Sequence, residues 1–139
     1  MKRIGIIGMF LLSTVAFAQG ADTTLEGRWE LFKIIDNMTG DEIKPTHKSA
    51  DSYVYWIRFM DGLVRYNLEI NTCSNEVIVG KDRSIEFKYF SECTEICCDA
   101  EFSKLLTYPE CTKYYIKNDE TLIMVSEDRI FYFKKSEDK

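Results

Sequence analysis

The sequence predicts a mostly β (α+β) fold: a small antiparallel barrel or strongly coiled sheet of about eight strands, with one helix inserted before the last three. Three observations carry that expectation. Short segments alternate apolar and polar residues with period two, the pattern of an antiparallel sheet that buries one face and wets the other. Turn signals separate these segments at hairpin spacing: Asp61-Gly62, Gly80-Lys81-Asp82, Asn118-Asp119 and Glu127-Asp128. A single stretch, Thr94 to Leu106, departs from that period and spaces its apolar residues roughly as a helix does. A sheet this long has exposed edges unless it closes, so a barrel with the helix over one opening is the economical architecture.

The elements follow in order. "MKRIGIIGMFLLSTVAFAQG" opens with Lys2 and Arg3, an apolar run from Ile4 to Leu12, and Ala16-Phe17-Ala18, small residues where a signal peptidase reads. Residues 1–18 are therefore expected to be a secretory signal peptide cut between Ala18 and Gln19, leaving residues 19–139 as one domain. No cysteine lies near the cut to take a lipid, and no later apolar run reaches membrane-spanning length. The product is expected in the periplasm or outside the cell, without a lipid anchor. "GRWELFKII" (Gly27–Ile35) reads as a strand with Trp29, Leu31 and Ile35 on one side, followed by a polar insert over 36–51. "SYVYWIRFM" (Ser52–Met60) places Tyr53, Tyr55, Ile57 and Phe59 on one face and Val54, Trp56 and Arg58 on the other. The Asp61-Gly62 turn returns it into "LVRYNLEI", with Val64, Tyr66, Leu68 and Ile70 inward. "NEVIVG" and "SIEFKY" form the next pair. Thr94 is the expected N-cap of the helix, with Glu95 and Asp99 near its positive end and Pro109 beyond its stop. "KYYI", "TLIMVS" and "RIFYF" close the chain as strands.

Composition narrows the chemistry. Removing the two basic residues of the signal moves the net charge from −5 to −7, which disfavours nucleic acid and anionic membrane surfaces as partners. The sole histidine, His47, stands in a polar loop, and Glu42, Asp51, Asp61, Glu69 and Glu76 fall on turns or outward faces. Neither set reads as catalytic, so no enzyme activity and no cofactor are expected. Aromatic residues are abundant, and Trp29, Tyr53, Tyr55, Trp56, Tyr66 and Phe87 either line a small ligand cavity or fill the core, the plainer reading for a small barrel. The five cysteines lack a Cys-x-x-Cys pair, which removes the common zinc and dithiol redox motifs and leaves a copper(I) thiolate site as the residual metal option. Structural bridges formed in an oxidising compartment are the simpler account.

Four groups of motifs together resemble the META domain, the HslJ-like family of small secreted or periplasmic proteins. "LEGRWEL" (Leu25–Leu31) resembles its opening Leu-x-Gly-x-Trp-x-Leu strand, and "NTCSN" (Asn71–Asn75) stands where the family has a Gly-Cys-Asn turn. "TEICCDAEFSKLL" resembles its Thr-x-x-x-Cys helix, and "YYIKNDETLIM" with "DRIFYF" resembles its closing strands. Here Thr72 replaces the usual glycine, a serine precedes the asparagine, and Cys93, Cys97 and Cys111 are additions. The resemblance implies a lipocalin-like barrel with a capping helix and no established catalytic residue. A lipocalin also opens with Gly-x-Trp but carries its helix after the barrel strands, whereas three strands follow it here. Cys73 and Cys98 match the family's own cysteine positions, so the resemblance implies a Cys73–Cys98 bridge. Cys93 and Cys111 flank the helical segment and form the expected second pair, with Cys97 as the other candidate; one thiol is left over. The function implied is that of an exported non-enzymatic binding or envelope-support protein with an unnamed protein or small-molecule partner. The alternative is a lipocalin-like carrier of a small apolar ligand.

Overall fold

The computed structural model describes residues 25–46, 55–88, 91–96 and 101–137. The signal peptide and its cut, His47, Tyr53, Cys97 and Cys98 lie outside the described residues. The strands are β1 (Gly27–Asp36), β2 (Glu42–Ile43), β3 (Trp56–Met60), β4 (Leu63–Asn67), β5 (Thr72–Val79), β6 (Ile85–Phe87), β7 (Glu92–Cys93), β8 (Lys113–Lys117), β9 (Thr121–Val125) and β10 (Arg129–Ser136). Eight of them run in the order β6-β5-β4-β3-β1-β10-β9-β8, while β2 pairs with β1 and β7 with β5. Every pairing is antiparallel. The two ends of the order meet at a Ser84–Lys113 bridge. There the Ile85 amide donates to the Thr112 carbonyl at 3.0 Å, and the Tyr114 amide to the Arg83 carbonyl at 3.0 Å. The sheet is therefore a nearly closed eight-strand barrel, as expected, with a short helix before its last three strands.

β1 shows how the chain curls. Its first half pairs with β3 and its second half with β2, and between them the register with β10 slips at Phe32. A bulge bends a strand and changes the phase of its side chains. Trp29 and Leu31 point inward before the slip, and Ile34 takes the buried place after it, where plain alternation assigned Ile35. The β3–β4 hairpin turns on Asp61 and Gly62, both with positive φ (47° and 76°), as its two-residue loop requires. β4 alternates through Val64 and Tyr66, but Asn67 and Glu69 are also buried and Ile70 is exposed. Glu69 has a φ of 79°, and the turn built on it ends the alternation early.

The helical segment is shorter than its sequence pattern. Glu101–Leu105 forms a 3-10 helix, followed by a second 3-10 turn, Tyr108–Glu110, that carries Pro109. Phe102 and Leu106 are buried, and the Phe102 ring lies 4.9 Å from that of Tyr55, so the segment covers one barrel opening. Thr94 is not a helix cap. Its amide donates to the Thr72 carbonyl, and its hydroxyl accepts from the Thr72 amide, extending the β5–β7 ladder.

Candidate functional site

The stretch Asn71–Asn75 lies where β5 lends its edge first to β7 and then to β6. Asn71, Cys73, Asn75 and Val77 all bury their side chains, as alternate residues of one strand face should. The two asparagines bracket β7 and supply the bonds that a two-residue strand cannot. Asn71 Oδ1 accepts from the Ile96 amide and from the Thr94 hydroxyl, each at 2.8 Å, while its Nδ2 donates to the Ile96 carbonyl at 2.8 Å. Asn75 Nδ2 donates to the Lys88 carbonyl at 3.0 Å and to Ser91 Oγ at 3.1 Å, filling the interruption between β6 and β7. Asn75 Oδ1 accepts the Tyr66 hydroxyl at 3.2 Å, connecting the edge to the interior. A buried amide with both ends satisfied adds directional order that an apolar side chain could not supply.

Between the asparagines stands the disulfide, and its partners correct the sequence reading. Cys73 is bonded to Cys93, not to Cys98. The register of β7 on β5 sets Cys93 directly opposite Cys73, with their Cα atoms 4.0 Å apart. The expected Cys93–Cys111 bridge is absent for the same reason: Cys93 is already engaged, and Cys111 is a free thiol buried in the core. Burial, with the Glu110 carboxylate adding to it, pushes the Cys111 thiol far above its ordinary pKa, so it stays protonated and inert.

Inside the barrel, Tyr108 is fully buried against Tyr66, Phe131 and Phe133, at ring-centroid distances of 5.3, 5.0 and 5.6 Å. Its hydroxyl meets no hydrogen-bond partner among the described residues. Desolvation raises the pKa of Tyr108 well above the usual phenol value, and that of Tyr66 as well. Among the aromatic residues singled out from sequence, Trp29, Tyr55, Tyr66 and Phe87 bury their side chains. Trp29 donates its indole N–H to the Leu25 carbonyl at 2.9 Å. Trp56 does not line the interior. It lies on the outward face of β3 with the Arg28 guanidinium 5.1 Å above its ring, because the neighbours that enter the core are Tyr55 and Ile57.

Asn71, Asn75 and Tyr108 were not foreseen as site residues. Period two carried back from Val77 puts both asparagines on an otherwise apolar face, which was the available signal for the first two. Tyr108 was hidden by Pro109, read only as a helix stop.

Beside a cleft of about 340 Å³ over Ser74, Asn75, Glu76 and Lys88, the described residues form two more along β5. One, of about 300 Å³, runs along the disulfide between Arg65, Thr72, Ser74, Glu92 and Thr94. The other, of about 290 Å³, is mainly apolar and lies beside the Asp61-Gly62 turn, lined by Leu25, Phe59, Met60, Leu63, Val77 and Ile78 among others. No group of three His, Cys, Asp or Glu side chains is placed to hold a metal ion among the described residues. In the same residues no helix is long and apolar enough to cross a membrane.

No protein-family model matches the chain, and no curated protein matches it. Two solved structures are similar in fold. The NMR structure of a protein from Burkholderia xenovorans superposes with a TM-score of 0.63 at 13% identity, over 84% of this chain and 88% of that one. The crystal structure of a DUF4847 family protein from Bacteroides vulgatus superposes with a TM-score of 0.55 at 13% identity, over 84% of this chain and 96% of that one. At this identity the likeness concerns the fold: the chain is built like these two bacterial proteins.

Proposed function

We propose that the chain is an exported, non-enzymatic META-like domain that binds or supports another component of the periplasm or cell surface. One observation carries this reading: an interior occupied by the protein's own aromatic side chains stands beside an apolar cleft open to solvent. Trp29, Tyr108, Phe131 and Phe133 are each 0% exposed, whereas Leu63 and Ile78 at the cleft are 47% and 49% exposed. Large apolar side chains held out of a well-filled core cost solvation free energy that a contacting surface would recover. The cross-strand disulfide fits an oxidising compartment. Support for the META-like assignment is the order of the four motif groups together with a barrel whose helix precedes its last three strands. The carboxylates whose pKa values are lowered, Asp36 and Asp82, sit at exposed turns, apart from the Tyr66, Tyr108 and Cys111 side chains that are buried together in the core.

A photo-crosslinking side chain placed at Ile78 in the producing cell is expected to capture a discrete partner, and one placed at Lys117 is not. Equal labelling from both positions, or none from Ile78, would overturn the reading. The second reading, a carrier of a small apolar ligand, is favoured by one feature, the Tyr108 hydroxyl inside the barrel, which has no hydrogen-bond partner among the described residues. Native mass spectrometry separates the two, since a carrier should leave its producing cell with added mass.

A further inference from the structure

We propose that Cys93 is a site of reversible S-thiolation, reached by exchange of the Cys73–Cys93 disulfide with a low-molecular-mass thiol. The inference is independent of the binding reading above. It rests on the unequal surroundings of the two sulfur atoms. Cys73 is 1% exposed on the inner face of β5, whereas Cys93 is exposed on β7. A thiolate displaces one sulfur from another by approaching along the line of the bond, from the side opposite the leaving atom. Cys73, buried on its strand, offers that approach no open side. Cys93 offers it at the exposed sheet edge, on β7, which has β5 as its sole strand partner among the described residues. A cleft of about 300 Å³, whose lining includes Cys73 and Cys93 together with Arg65, Ser74 and Glu92, leaves room for a small thiol beside the bond.

The step balances without an external oxidant. The incoming thiolate forms a bond to Cys93 Sγ, the Cys73–Cys93 bond breaks, and Cys73 Sγ leaves as a thiolate that takes a proton from solvent. One disulfide is exchanged for another. The product stays folded at the edge, because the Thr72–Thr94 ladder bonds and the Asn71 contacts to Thr94 and Ile96 do not involve sulfur. Cys73 then remains beneath the adduct, held by β5 in position to reverse the reaction.

The test uses the full chain with the disulfide intact, incubated with reduced glutathione, quenched in acid, unfolded and alkylated with N-ethylmaleimide. Cleavage after glutamate releases Cys73 in Ile70–Glu76, Cys93 in Cys93–Glu95 and the Cys97-Cys98 pair in Ile96–Glu101, so each position is read separately. Glutathione is expected on Cys93 and maleimide on Cys73, with at least a tenfold preference of the adduct for Cys93. The same adduct is expected in a Cys97→Ser/Cys98→Ser chain, where those thiols cannot intervene. Glutathione found equally on Cys73, exchange only after unfolding, or loss of the Cys93 adduct in the double variant would each overturn the proposal.

Discussion

Asn75 does most of its work through two atoms. Its amide nitrogen completes the edge at Lys88 and Ser91, and its oxygen accepts a hydrogen bond from the Tyr66 hydroxyl in the core. Asn75→Ala should therefore lower unfolding free energy by about 1–3 kcal/mol, because the buried Tyr66 hydroxyl loses its acceptor. Denaturant unfolding of the two chains measures this, and a change below about half a kcal/mol would mean that solvent replaces the amide at no cost. Residue-scale roles were legible where alternation held. Tyr55, Ile57, Phe59, Val64 and Tyr66 all enter the core as period two demands. Legibility failed at Ile34 and Trp56 for different reasons. The bulge at Phe32 cannot be read from local propensity, since it answers to the partner strand. Trp56 was grouped with core aromatics by its size, although its own strand's alternation already pointed it outward.

Hairpins are the elements the sequence expressed best, and the Asp61-Gly62 turn shows why. A two-residue connection between right-twisted strands needs positive φ at both places, and few residue pairs accept that. Gly62 has a φ of 76°, so Gly62→Ala should destabilise the domain by about 1–2 kcal/mol while leaving the β3–β4 register intact. Thermal unfolding and the amide-proton pattern of β4 check the two halves of that expectation. The helix was the least legible element. Its apolar spacing from Thr94 suited an α-helix, yet Thr94 to Ile96 are claimed by Asn71 and Thr72, which belong to a distant strand. The disulfide followed the same rule: a pairing implied by family positions gave way to the register of β7 on β5, which only the folded edge defines.

At the scale of the whole molecule, the described interior carries acidic hydrogens that water would let go more easily. Cys111, Tyr66 and Tyr108 all have pKa values raised by burial, Cys111 with a further push from Glu110. Raised values mean that the folded chain holds these protons more tightly than the unfolded one. Stability is thus complete below the unfolded pKa values and falls as pH climbs past about 8.5 for the thiol and about 10 for the phenols. Each group contributes a loss of up to about 1.4 kcal/mol per pH unit beyond its unfolded value. Cys111→Ala should remove the earlier step and leave the later one, which unfolding measured across alkaline pH will show. The closed architecture was the most legible feature at this scale, because eight alternating segments have few other ways to hide their edges.

The longest pairing in the barrel joins β1 to β10, running from Arg28 opposite Ser136 to Asp36 opposite Arg129. A nascent polypeptide can pair its opening strand with β2 and β3 early, but the other edge of that strand stays open until residue 136 has left the ribosome. Such a chain cannot close its barrel before that last strand emerges, so closure is a late step of its folding whatever hairpins form earlier.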